Sequence, residues 1–80
     1  MREQELIAKR IKDLCWREDI SYYTLSYRSA VPITTLMHIL DCSTKNPGIF
    51  TIMKICNGFG ITLTDFFDTE ELKGIELEPE

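Results

Sequence analysis

No apolar run in the 80 residues approaches the ~18 needed to cross a membrane. The first five residues, Met1-Arg2-Glu3-Gln4-Glu5, carry charge where a secretory leader needs an apolar stretch. A cytoplasmic location is expected. Cysteine is scarce: Cys15, Cys42 and Cys56 are odd in number, widely spaced and set among aliphatic neighbours, which suits a reducing compartment better than a disulfide framework. Histidine occurs once. His38 and Cys42 are four apart and could share a metal ion, but zinc takes three or four ligands. Asp41 is expected on a different side of the turn, and Cys15 and Cys56 fall in core-facing stripes, so neither a metal site nor a cofactor is expected. With no acid placed to orient His38, nothing resembles a Cys-His or Ser-His pair, and the chain does not read as an enzyme. Internal repeats and low-complexity segments are also absent. A chain this short forms one domain and buries only ~60% of the surface of its unfolded form, so its 44% hydrophobic content must be placed efficiently and its loops kept short.

What is present is a divided charge. The sum is −4, yet residues 1–64 hold eight Lys or Arg against six acids, whereas residues 65–80 hold Lys73 alone against seven. The pattern is a slightly basic body with an acidic end, and the domain is expected over residues 1–68 with an acidic tail over residues 69–80. Apolar spacing of three and four residues predicts a helix from Glu5 to Glu18 through Ile7, Ala8, Ile11, Leu14 and Cys15. Asp19-Ile20-Ser21 ends it, and Ser21 caps a short second helix running to about Ser29. Ala30-Val31-Pro32 interrupts, and Pro32 is expected at the start of a third helix running to about Asp41. The turn formers of residues 42–48 precede a fourth helix through Ile49, Ile52, Met53, Ile55, Cys56 and Phe59, with Gly58 and Gly60 read together as left-handed C-cap glycines. Thr62-Leu63-Thr64-Asp65 matches a capping box opening a fifth, short helix through Phe66 and Phe67. From Glu70 on, an edge strand or no regular structure is expected.

These pieces, in the order Ile11-x-x-Leu14, Ile20-Ser21-x-x-x-Leu25-Ser26, Ala30-Val31, Leu36-x-x-Ile39, Asn46-Pro47, Ile52-x-x-Ile55-Cys56, Phe59-Gly60-Ile61 and Phe66-Phe67, resemble the lambda-repressor and Cro (XRE-like) helix-turn-helix domains over about residues 5–67. The resemblance implies an all-α, compact five-helix DNA-binding domain of a small bacterial- or phage-type transcriptional regulator with no effector domain, its third helix in the major groove. It further implies phosphate contacts from Ser21 and Tyr22, and from Lys45, Asn46 and Gly48 in the loop before helix 4. The positions facing bases would be Ile33, Thr34 and His38, with Met37 beside them. Tyr22 stands where the family commonly has Gln, and Cys42 where it often has Gly. Cys15 and Leu40 replace an Arg and a Glu that family members often pair in the core, so both are expected to be buried near each other.

Members of the family usually bind two half-sites, which implies a homodimer; Phe67, Leu72, Ile75 and Leu77 are its expected interface. Trp16 is expected to pack on a helix surface. Among Tyr22, Tyr23 and Tyr27 at least one ring must be partly exposed, because Leu25 takes the core side of that helix. The rival reading is a protein-interaction module on the same fold, an antitoxin-like or anti-regulator subunit, suggested by the acidic tail and the apolar third helix.

Overall fold

A computed structural model describes residues 3–44 and 46–74, and every regular element among them is a helix. α1 (Glu3–Glu18) starts two residues earlier than its apolar spacing suggests and buries Leu6, Ala8, Ile11, Leu14 and Cys15. α2 (Tyr22–Ser29) and α3 (Ile33–Leu40) are eight residues each, α4 spans Ile49–Phe59 and α5 Leu63–Phe67. Their buried side chains, among them Leu25, Leu36, Ile39, Leu40, Ile52, Ile55, Cys56 and Phe66, form one cluster with those of α1. Cys15 and Leu40 both belong to it, at 4% and 5% exposure. Burial in these surroundings pushes the Cys15 thiol up from its ordinary range, and likewise that of Cys56. No helix among the described residues is long and apolar enough to cross a membrane.

Three helix ends are built alike. After α1, Asp19 takes a left-handed conformation (φ 53°), its N–H donates to Trp16 O at 3.3 Å, and the N–H of Ile20 donates to Cys15 O at 3.1 Å. Ala30 with Val31 ends α2 in the same way, and Gly60 with Ile61 ends α4. Each is a Schellman motif whose following aliphatic residue, Ile20, Val31 or Ile61, folds back onto the core. Only Gly60 escapes the Cβ penalty of the left-handed region. Gly58, by contrast, is no cap. It lies inside α4 and is buried because α2 passes too close for a side chain: a Cβ there would stand 3.0 Å from Ser29 Cβ. Pro32 stands at the start of α3, as its N-cap.

The capping box at α5 is complete, with the Asp65 N–H donating to Thr62 Oγ1 at 3.0 Å and the Thr62 N–H to Asp65 Oδ2 at 3.4 Å. After it comes a sixth helix, α6 (Glu70–Lys73), where an edge strand or no regular structure was expected. Thr69 caps it by accepting from the Leu72 N–H at 3.2 Å, and two glutamates occupy its first turn. Leu72 is buried, and Glu71 pairs with Lys9 of α1 at 2.5 Å, so this stretch closes over α1 instead of trailing away. Ile75 and Leu77 lie outside the described residues.

Candidate nucleic-acid interface

α2 and α3 are joined by Ala30-Val31-Pro32, with Ser26 Oγ donating to Val31 O at 2.6 Å across the turn. Burial of Leu36, Ile39 and Leu40 fixes the roll of α3, and the helical period then sends Thr34 and His38 outward. Both are exposed. Met37 flanks them at 43% exposure, whereas Ile33 is half-buried and packs against the core. The four expected base-facing residues therefore divide into two that project, one at the flank and one mostly committed to packing.

Ser21 is exposed and caps α2, accepting from the Thr24 N–H at 3.1 Å. Tyr22 is half-buried against the core, while Tyr23 and Tyr27 stand out at 75% and 89% exposure. Trp16 does not pack on a helix surface as expected, being 85% exposed. Asn46 and Gly48 are exposed, and Gly48 starts α4 without a side-chain cap; Lys45 lies outside the described residues. α3 also starts without one, Pro32 having nothing to offer. The first N–H groups of both helices thus lack a side-chain acceptor, the condition under which a helix N-terminus attracts an anion.

The surroundings of His38 correct a sequence expectation. Cys42 adopts φ 63°, and this left-handed residue turns Ser43 back between His38 and Asp41. The Ser43 N–H donates to Asp41 Oδ1 at 2.9 Å, its hydroxyl donates to the same oxygen, and Ser43 Oγ lies 3.3 Å from His38 Nδ1. These two hydrogen bonds, with the nearby imidazole, hold the Asp41 carboxyl below its ordinary range. Ser43 Oγ thus bridges Asp41 and His38, and the imidazole is left exposed on the outer side of α3. This is not a hydrolytic triad: the serine sits between the other two with its proton aimed at a carboxylate, where no base can remove it. Among the described residues no group of three or more His, Cys, Asp or Glu is placed to hold a metal ion.

Two cations of the basic body are engaged within the chain. Lys9 meets Glu71, a pairing that raises its pKa. Arg10 donates from Nε to Phe66 O at 2.7 Å and from Nη2 to Asp65 O at 2.8 Å, tying α1 to the end of α5. The sequence carried a signal for Arg10, since Leu6 and Leu14, one turn away on either side, are both buried. Arg17, Arg28 and Lys54 remain exposed. Compared with known proteins, the chain matches no family model, no curated protein and no solved structure.

Proposed function

We propose that this protein is a small DNA-binding regulator of the helix-turn-helix type, binding as a homodimer with α3 in the major groove. The observation that carries the reading is the α2-turn-α3 unit: two eight-residue helices joined by three residues, the second seated by Leu36, Ile39 and Leu40 with Thr34 and His38 projecting. In this reading Ser21 and Tyr22, with Asn46, Gly48 and Lys45 at the start of α4, meet phosphates, and Met37 borders the bases. Ser43 orients His38, whose outward ring nitrogen donates or accepts at a base edge according to its tautomer, and Thr34 reads a base edge or a thymine methyl.

A second reading, docking of another protein through α3, is favoured by one observation: Ile33–Leu40 carries no Lys, Arg, Asp or Glu. A mobility-shift titration on random duplex separates the two. DNA binding should weaken steeply with salt, with a logarithmic slope near about −5 if a dimer neutralises roughly three phosphates per subunit. Thr34→Ala or His38→Ala should relax sequence preference by ~1–3 kcal/mol, while Lys45→Ala weakens all sequences alike. No salt-dependent shift on any duplex at low ionic strength would dismiss the regulator and leave α3 as a protein-docking helix.

A further inference from the structure

Trp16 and Tyr23 are exposed, although each ring can bury roughly 150–250 Å², and neither belongs to the core. With the half-buried Tyr22 they wall a groove of about 410 Å³ at the corner where α1 ends and α2 begins, a volume typical of small-molecule sites. Cys15 and Ile20 add to its apolar lining. Its charges are few and unevenly placed. Asp19 is the exposed turn residue between the rings, and among the described residues no cation pairs with it. The Schellman bonds after α1 fix its backbone at φ 53°, so the carboxylate is anchored beside the rings before anything binds. Lys12 also lines the groove but stands two turns earlier on α1, about 10 Å back along the helix. The carboxylate thus belongs to the aromatic end and the ammonium to the other.

We propose that this corner binds an organic cation, a quaternary or alkylated ammonium carried on an apolar body. Trp16, Tyr22 and Tyr23 supply π faces, whose negative potential attracts cations, and Asp19 adds a formal negative charge beside them. A neutral molecule of the same shape gains the burial alone. An anion meets repulsion from the rings and from Asp19, and a metal ion finds one carboxylate, far short of the oxygen set that a hard cation takes. Ser21 and Met37 line the groove as well. In the helix-turn-helix reading, on which this last step rests, these two and Tyr22 face DNA, so cation and duplex exclude each other and each lowers the other's affinity. The cation is then an inducer that releases the regulator.

Trp16 is the only tryptophan and reports binding directly. The full chain, without nucleic acid, is titrated with three probes that share one ring and differ in charge: benzyltrimethylammonium, benzyl alcohol and benzoate. Binding is read from Trp16 emission and from the NMR signals of the Ile20 and Tyr23 amides. Benzyltrimethylammonium should saturate, and bind about fivefold or more tightly than either other probe. Asp19→Asn keeps the side-chain size and tolerates the left-handed backbone; it should weaken the cation about two- to fivefold. Trp16→Leu, followed by NMR, should weaken it about fivefold or more, while Phe50→Ser on α4 leaves it unchanged. Circular dichroism confirms that the variants remain folded. The proposal is overturned if benzyltrimethylammonium does not saturate below about 10 mM, if benzyl alcohol or benzoate binds as tightly, or if Asp19→Asn and Trp16→Leu both leave binding unchanged. A chain that binds the cation but no duplex keeps this site and loses the regulator; one that binds duplex but no cation does the reverse.

Discussion

Replacing Gly58 by alanine tests the close approach of α2 and α4. At an open helical site the change would stabilise, because alanine exceeds glycine by about 1 kcal/mol in helix propensity. Here the added Cβ would lie 3.0 Å from Ser29 Cβ, 3.1 Å from Ser29 N and 3.2 Å from Leu25 Cδ1. Those contacts are roughly half an ångström inside the optimum for carbon atoms, and one partner is backbone, which cannot rotate away. Overpacking of this kind costs about 1–3 kcal/mol, so the net effect should be a loss of about 1 kcal/mol. Thermal unfolding should then fall by about 4–8 °C for each kcal/mol in a domain of this size. Combining Gly58→Ala with Ser29→Gly, which removes the nearest atom, should recover part of the loss, with a coupling of roughly 0.5 kcal/mol or more. If Gly58→Ala alone raises the melting temperature, α2 and α4 are not in contact at this point and the packing argument is wrong.

Arg10→Met keeps the apolar stem but removes both bonds to the α5 carbonyls; with partial exposure discounted, a loss of about 1–2 kcal/mol is expected in denaturant titration, with faster amide exchange at Asp68 and Thr69. Ala30→Gly should stabilise by about 0.5–1 kcal/mol, the left-handed penalty being relieved but partly offset by the freer unfolded chain; a decrease on calorimetry would refute the cap geometry. Asp41 should titrate by NMR below the ordinary carboxyl value of 3.8, and Ser43→Ala should raise it toward that value. Because its folded pKa is depressed, the stabilisation from this carboxylate is present above the unfolded pKa and disappears as pH falls through the folded one.

Much of the fold was legible because its signals are local. The spacing along α1, the Ser21 cap and the Thr62/Asp65 capping box each state their structure in a few residues. Helix ends were legible only in part: Gly60 announces a left-handed cap, whereas Asp19 and Ala30 adopt the same conformation with side chains that do not advertise it. Gly58 looked like a second cap glycine because a close helix crossing leaves no mark in one chain. α6 was missed because four residues show no period; what holds it is a cap, a buried leucine and a distant lysine. At the candidate site, the resemblance pointed to Ile33, Thr34 and His38 on the outer side of α3; Thr34 and His38 are exposed there, whereas Ile33 packs against the core. The Ser43 bridge was not legible, since it depends on the left-handed backbone at Cys42.

The clasp between α1 and the segment from Asp65 to Leu72 has a consequence for biosynthesis. Arg10 reaches partners 55 and 56 residues later in the chain, and Lys9 one 62 residues later. On the ribosome, α1 emerges ahead of these partners and waits for the residues that complete its surroundings until the segment from Asp65 to Leu72 has been made. Loops of this length close late because their entropy must be lost before the contacts that reward it can form. A nascent chain stalled before residue 65 should therefore expose the face of α1 carrying Leu6 and Arg10. Protection of that face against proteolysis should begin only after α6 has cleared the exit tunnel.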